Sequence, residues 1–273
     1  MLLRDIVFKG WHEYEKANNL FPIRWKAHHI TELFLELCPR MELDGSTNLN
    51  ISHPKKKRNH EKKYVRDDYF NVTTYYLEEE QMKALELLTL EEAEEYIVEL
   101  LEEVLIDIVN RYDKNEEKIR IIKDTIKKMR EKNFSLEKKI KKLTKVTKDR
   151  KYKAEVFRCL NKKVGEAWYV KISSLGKNKI SKIKWITDKP CYLNRTGKFR
   201  KSKWEGTKFI ITNRLGEEVI GIDINNLELD LEDETNDTYD KNKIDKEKIE
   251  RRMKLKEKVD LTKAKHQMEE IKA

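Results

Sequence analysis

The sequence contains few of the residues that bend or cross-link a chain, with only eight glycines, four prolines and three cysteines among 273 residues. Cys38, Cys159 and Cys191 are odd in number and far apart, which is typical of free thiols in a reducing compartment. Their spacing offers no structural zinc site, and a small buried or surface thiol is a more frequent role than catalysis. We therefore expect free cysteines.

Long apolar runs are also missing. The N-terminal stretch MLLRDIVFKG is interrupted by Arg4, Asp5 and Lys9, so it lacks the continuous hydrophobic segment that export requires. No other stretch approaches the length of a membrane span. These observations predict a cytoplasmic protein with no membrane partner.

The familiar catalytic motifs GxGxxG, GxxxxGK[ST], GxSxG and HExxH do not occur. His28 and His29 could converge with His53 and His60 on a metal or hydrolytic site, although such histidines beside lysine-rich loops are more often surface residues. WHEYEK and YVRDDYF add the carboxylates that a metal-dependent nuclease needs. We predict no catalytic residue, no metal and no cofactor, and keep a nuclease as a minor alternative.

Charge is what the sequence has in abundance. Charged residues make up 40% of the chain, and the formal net charge is +10. Residues 111–214 hold 34 Lys and Arg against 11 Asp and Glu, whereas residues 217–240 hold ten acidic residues and no basic one. Such a basic segment attracts polyanions and raises the rate at which they meet the protein.

A second basic feature is SHPKKKRNHEKK, residues 52–63, which belongs to a stretch rich in Gly, Pro and Asn. This composition predicts a basic loop over residues 44–66. We interpret it first as a solvated loop that adds to the positive field, then as a phosphate contact, and last as a nuclear address.

Residues 1–152 are predicted to form a mixed N-terminal domain. ITELFLELCP could be a short helix or a buried strand. A helix is predicted from Thr89, because Thr89 and Glu92 have the spacing of a capping box. One face of this helix is apolar and the other is acidic. The apolar stripe contains Ala93, Ile97, Leu100, Leu101, Val104, Leu105 and Ile108.

A second, basic helix is predicted from about Lys118 to Lys151, with apolar residues repeating at alternating intervals of three and four. The stripe could bind a partner helix or a second copy. The alternative, which the short connection favours, is a hairpin with the acidic helix. NFS at 133–135 could also divide the segment, with Ser135 capping a new helix. The predicted protein interface is Ile122, Met129, Asn133, Leu136, Ile140 and Leu143.

Residues 153–225 change to short alternating segments rich in β-branched and aromatic residues. AEVFRCL, AWYVKISSL, KISKIKWIT, TKFIITN and EVIGIDI predict five strands of a small antiparallel sheet or open barrel. Residues 226–273 are predicted to be a charged linker followed by a tail helix with a narrow apolar face. The fold class is therefore α+β: a mixed N-terminal domain with a helical hairpin, a small antiparallel β module, and a charged, partly helical tail.

The β module mixes basic and aromatic residues, a combination that suits a single nucleic-acid strand because bases stack on exposed rings while cations follow the phosphates. Aromatic residues in strands are usually core, and we expect this of Trp168 and Trp185. The predicted nucleic-acid site is the basic connection near the fourth strand. It comprises Arg195, Lys198, Phe199, Arg200, Lys201, Lys203 and Trp204.

Together these patterns favour a non-enzymatic binding or adaptor protein that acts through a protein partner, either another protein or a second copy. The heavy use of Lys, Ile, Asn and Glu resembles coding from an AT-rich genome and suggests a bacterial accessory factor, such as an immunity or defence component. Nucleic-acid binding by the basic β module is the alternative interpretation.

Overall fold

The computed structural model describes residues 1–10, 21–53, 63–176 and 181–226. Its N-terminal part has one mixed sheet and four helices within these ranges. The helices are α1 (Ile23–Leu37), α2 (Glu79–Leu87), α3 (Leu90–Tyr112) and α4 (Glu116–Glu131). The strands are β1 (Asp5–Lys9), β2 (Asn48–Ser52), β3 (Tyr64–Asp67) and β4 (Val72–Tyr76).

The first sheet has the strand order β1-β2-β4-β3, in which β1, β2 and β4 are parallel and β3 is antiparallel to β4. Helix α1 lies between β1 and β2 in the chain, as a parallel crossover requires. The predicted loop over residues 44–66 is therefore wrong in part. Leu49 and Ile51 alternate with polar residues in β2 and are fully buried, so this segment pairs as a strand. Residues 54–62, the centre of the basic stretch, lie outside the described residues.

Helix α1 contains the ambiguous segment ITELFLELCP, and two of its faces pack against other parts of the chain. Ile30, Leu33 and Phe34 are fully buried in the N-terminal core. The helix ends before Pro39, where the backbone N–H of Cys38 donates to the Phe34 carbonyl at 2.8 Å. Its other face points toward the C-terminal strands.

Helices α3 and α4 form the predicted hairpin. Thr89 Oγ1 accepts a hydrogen bond from the backbone of Glu92, and the Glu92 side chain accepts one from the backbone of Thr89, so the capping box is confirmed. The predicted apolar stripe of α3 is buried throughout. Across the hairpin, Arg130 of α4 lies 2.6 Å from Glu95 of α3, which joins the basic and acidic helices directly.

The predicted helix through Lys151 is wrong, because α4 ends at Glu131. Asn133 and Phe134 adopt left-handed backbone angles, with φ of 48° and 51°. The N–H of Phe134 then donates to the Met129 carbonyl at 3.0 Å, which satisfies a helix-terminal acceptor and turns the chain away. The apolar repeat continues by coincidence into a strand that begins at Leu136.

The C-terminal half is a sandwich of two antiparallel sheets. The five-stranded sheet contains β5 (Leu136–Lys139), β6 (Lys145–Val146), β7 (Tyr152–Asn161), β8 (Gly165–Ser174) and β9 (Ser181–Trp185). The three-stranded sheet contains β10 (Lys201–Glu205), β11 (Lys208–Thr212) and β12 (Glu218–Asp223). Each of the five predicted segments overlaps one of these strands, while β5, β6 and β10 are strands that the sequence pattern does not predict.

One shared core holds the two sheets together. It includes Val156, Trp168 and Val170 of the five-stranded sheet with Phe209 and Ile211 of the three-stranded sheet. The mixed α+β architecture is thus confirmed, and the predicted tail lies outside the described residues. Within the described ranges, no helix is both long enough and apolar enough to cross a membrane.

Candidate functional site

The predicted nucleic-acid residues do not share one surface. Phe199 is only 3% exposed, and its ring packs edge-on against Trp168 with centroids 5.1 Å apart. The expectation that Phe199 offers a stacking surface is therefore wrong, because its ring fills the sandwich core. Arg195, Lys198 and Arg200 lie beside it in the connection between β9 and β10, where Lys198 and Arg200 are exposed.

Strand β10 divides the remaining predicted residues between its two faces. Trp204 pairs with Phe209 on the core side, and its indole N–H donates to the Lys145 carbonyl at 3.3 Å. Lys201 and Lys203 alternate with it and lie on the opposite side, where Lys203 Nζ is 2.5 Å from Glu205. Trp204 and the two lysines therefore do not form one basic and aromatic patch.

A different basic and aromatic arrangement lies on the five-stranded sheet. Lys139, Phe157, Tyr169 and Trp185 are direct cross-strand neighbours on β5, β7, β8 and β9. The Phe157 and Tyr169 rings stack with centroids 4.8 Å apart, and Trp185 meets Tyr169 edge-on at 5.2 Å. These side chains form a continuous row across four strands, which we call the aromatic row.

The aromatic row lies on the sheet face that points away from the sandwich core. Partners in an antiparallel register share a face, and Val156 and Val170, which alternate with the row, belong to the core. Phe157 and Trp185 remain partly exposed, and Ile183 in the neighbouring position is 42% exposed. The prediction that Trp185 belongs to the core is therefore wrong, whereas the same prediction for Trp168 is confirmed.

Lysines surround the aromatic row. Lys171 occupies the next outward position along β8, Lys153 lies two outward positions from Phe157 along β7, and Lys189 Nζ lies 4.2 Å from the Trp185 ring centroid. Glu155 is one opposing charge, and Lys139 and Lys153 lie 2.9 and 2.8 Å from its carboxylate. The hydrogen bond from Lys153 is the largest cause of a lowered pKa for Glu155, which keeps this carboxylate ionised.

Tyr169, at the centre of the row, is only 7% exposed. Burial, followed by the nearby Glu137 carboxylate, raises the pKa of its hydroxyl well above the usual value of 10, so Tyr169 stays neutral. The row could have been found in the sequence from strand parity. Phe157 and Tyr169 stand one residue out of phase with the core positions Val156 and Val170, and a sheet exposed on one face would place them outward.

A second notable cluster joins α1 to the five-stranded sheet. Glu166 of β8 is fully buried and accepts five hydrogen bonds, of 2.9 to 3.2 Å. Their donors are the imidazole of His28, two nitrogens of Arg158, the indole of Trp168 and the backbone of Arg195. Burial alone would raise the pKa of Glu166, but the hydrogen bonds from His28 and Arg158 lead a set that outweighs it and lowers the pKa to about 2.

Arg158 extends this cluster along α1. Its Nη2 donates to Glu32 at 2.5 Å and its Nη1 to Glu36 at 3.4 Å. Asn194 donates to the other Glu32 oxygen at 2.9 Å. One turn before His28, the ring of Trp25 stacks on Tyr192 at 5.3 Å. These polar and aromatic contacts therefore connect successive turns of α1 to the C-terminal half.

Part of the same cluster has the spacing of a metal site. His28 Nε2 and one oxygen each of Glu32 and Glu166 lie within 4.8 Å of one another, a separation that an ion could bridge. However, Arg158 Nη2 lies 2.5 Å from Glu32 and 2.9 Å from Glu166, so its guanidinium is already paired with both carboxylates. The chemistry is that of a buried ion-pair network rather than an open ligand set.

His29 points away from His28 and binds a different partner. Its Nε2 lies 2.9 Å from Glu94 of α3, and Glu94 also accepts a hydrogen bond from Lys162 at 3.0 Å. Burial lowers the pKa of His29 below 6.5 despite the opposing effect of Glu94, which favours a neutral ring. The two histidines therefore do not converge on one site. His53 follows β2, and His60 lies outside the described residues.

The predicted protein interface is distributed over several elements. Ile122 and Met129 of α4 are fully buried in the N-terminal core, and Leu143 is fully buried in the sandwich core. Asn133 lies in the turn after α4, Leu136 begins β5, and Ile140 follows that strand. A partner helix would have to displace the chain's own core to reach the buried members, and binding through this set stays a prediction.

Comparison with known proteins identifies no relative of this chain. No protein-family model, curated protein or solved structure matches the chain.

Proposed function

We propose that this protein binds single-stranded nucleic acid in the cytoplasm, using the outer face of its five-stranded sheet. The observation that carries the proposal is the aromatic row, Lys139, Phe157, Tyr169 and Trp185, on a partly exposed face with lysines on neighbouring positions. The compartment is supported by the three free thiols at Cys38, Cys159 and Cys191.

Each component of this face has a role in such binding. Trp185 and Phe157 are partly exposed and can contact the faces or edges of unpaired bases, and base stacking contributes about 1–3 kcal/mol per base. Lys153, Lys171 and Lys189 are placed to follow the phosphates on either side. A duplex keeps its bases stacked on one another, so the aromatic part of this surface favours a single strand.

The positive electrostatic field of the surrounding segment supports the same proposal. Residues 111–214, which include the whole five-stranded sheet, hold an excess of 23 basic over acidic residues, 34 against 11. Such a field raises the rate at which a polyanion meets the surface. The aromatic row then supplies the short-range contacts that a field alone lacks.

The test is fluorescence anisotropy of the full chain with labelled single-stranded DNA, single-stranded RNA and duplex DNA over a range of salt concentrations. We expect a single strand to be preferred and to remain bound at physiological salt. W185A should weaken that binding about 5- to 150-fold without changing the salt slope, because stacking releases no counterions. K153Q/K171Q should reduce the slope by about 0.7 for each phosphate that the variant no longer neutralises.

The matched control is K123Q/K127Q, which removes the same charge from exposed positions of α4. If this pair weakens binding as much as K153Q/K171Q, the effect is one of net charge and the site is wrong. K201Q/K203Q tests in the same assay the lysines of β10, which the sequence pattern favours. Binding that disappears at physiological salt for every probe would refute the proposed function.

A further inference from the structure

Two adjacent aromatic side chains protrude from the turn between β3 and β4. Tyr69 is 86% exposed and Phe70 is 67% exposed. Their rings touch edge-on, with centroids 4.8 Å apart. Large neighbouring aromatics are seldom left in water without a binding role, because each offers substantial apolar area.

The turn that carries them is preorganised. The Asp67 carboxylate accepts hydrogen bonds from the backbone N–H groups of Tyr69 and Phe70, at 3.0 and 3.1 Å. Asn71 adopts a left-handed φ of 53°, which suits Asn in a turn, and β4 begins at the next residue. Little backbone entropy would therefore be lost when these rings bind a partner.

The tip is also locally acidic. Asp67 and Asp68 directly precede the two aromatic residues, and Arg66, 2.7 Å from Asp68, offsets one of the two charges. This excess of negative charge disfavours phosphate groups and a second copy of the same tip. It favours an apolar cavity with a basic rim.

The chain itself contains a partly apolar cleft with an excess of positive charge. A half-open cleft of about 290 Å³ lies at the edge of the sandwich, near the start of β12. This volume falls at the lower end of the range for small-molecule pockets, so it suits one inserted side chain. The lining of the cleft is about half polar and half apolar and carries one positive charge in excess. It combines the apolar residues Ile186, Phe199, Val219 and Ile220 with Thr187, Asp188, Arg195 and Lys198.

We propose that the Tyr69 and Phe70 tip of one copy binds this cleft of a second copy, with one of the two rings inserted. The two surfaces are opposite in charge, and the high exposure of both rings shows that the tip does not occupy the cleft of its own chain. The contact joins different patches of the two copies, so it either closes as a two-fold dimer in which each tip occupies the other copy's cleft, or extends head-to-tail into a ring or an open chain. This assembly does not depend on nucleic-acid binding.

The test uses two variants that each remove one side of the contact. Y69S/F70S removes the aromatic tip, and K198E/V219D places negative charge in the cleft at two exposed positions. In sedimentation velocity without nucleic acid, the wild-type chain should show a mass that rises with protein concentration. Each variant alone should associate at least about 30-fold more weakly, as expected when a hot spot is lost.

Mixing the variants provides the decisive measurement. Y69S/F70S retains an intact cleft and K198E/V219D retains an intact tip, so the mixture should form a one-to-one dimer and nothing larger. Circular dichroism of each variant checks that it is folded. The proposal is overturned if the wild-type chain stays monomeric at all concentrations, if the folded tip variant still self-associates, or if the mixture forms no dimer.

Discussion

Arg158 holds the buried Glu166 through two hydrogen bonds, from Nε at 3.1 Å and from Nη2 at 2.9 Å, while the same Nη2 donates to Glu32 at 2.5 Å. Glu166 belongs to β8 and Glu32 to α1, so one guanidinium joins the sandwich to the N-terminal half. Paired buried charges of this kind add modest net stability, but removing one member leaves the others unpaired in a dry environment.

The first prediction concerns this guanidinium. R158M keeps a side chain of similar length but leaves the Glu32 and Glu166 carboxylates without their shared cation. We expect a loss of about 3–5 kcal/mol in the free energy of unfolding, measured by urea denaturation. R120Q, which breaks an exposed ion pair with Glu117, is the control and should leave the urea midpoint unchanged. An R158M midpoint equal to that of R120Q would show that the network contributes nothing.

The second prediction concerns acid. The pKa of Glu166 is about 2 in the folded chain against 4.5 as its ordinary value, so the unfolded chain binds more protons between these values. Its contribution of roughly 3 kcal/mol is fully present above pH 4.5 and is lost as the pH falls toward 2. The stability difference between wild type and E166Q should therefore shrink as pH falls below 4.5. A difference that is constant from pH 7 to the lowest folded pH would contradict this assignment.

Local features of the fold could be predicted from the sequence because their causes lie within a few residues. The Thr89 cap, the apolar stripe of α3 and the alternation in β7 and β8 are of this kind. The ion-pair network could not be predicted in this way, since Arg158 and Glu32 are 126 residues apart and only the fold brings them together. The histidine pair shows the same limit, because adjacent rings on a helix point in different directions.

The predicted end of α4 was wrong for a different reason. Apolar spacing over residues 118–143 fits a helix, but periodicity does not report the backbone angle of a single residue. Asn133, which fits the pattern as a polar member of a heptad, is instead left-handed and ends the helix. Asn tolerates this conformation better than most residues. The same residue thus gives a misleading signal in the sequence and has a clear role in the structure.

The third prediction follows from this backbone angle. At a left-handed position N133G should stabilise the chain by up to about 1 kcal/mol, and N133A should destabilise it by a similar amount. In a continuous helix the order would be reversed, because Ala is the best helix former and Gly one of the worst. Urea denaturation of both variants gives the sign. A more stable N133A than N133G would mean that the helix continues past Glu131.

The last prediction concerns Glu155 and rests on the proposed nucleic-acid site. Because Glu155 is ionised and lies within 2.9 Å of both Lys139 and Lys153, it opposes phosphate binding beside the aromatic row. E155Q removes one negative charge and releases two ammonium groups. We expect single strands to bind about two- to tenfold more tightly, with a salt slope steeper by about 0.7 for each additional phosphate that these lysines neutralise.

E205Q is the matched control for this effect. It makes the same charge change beside Lys203 on β10, so it tests whether the tighter binding depends on location. If E205Q tightens binding as much as E155Q, the nucleic acid responds only to net charge. If E155Q alone tightens it, Lys139 and Lys153 contact the strand. An effect of E155Q that also disappears in the W185A background would further indicate that phosphate and base contacts belong to one binding face.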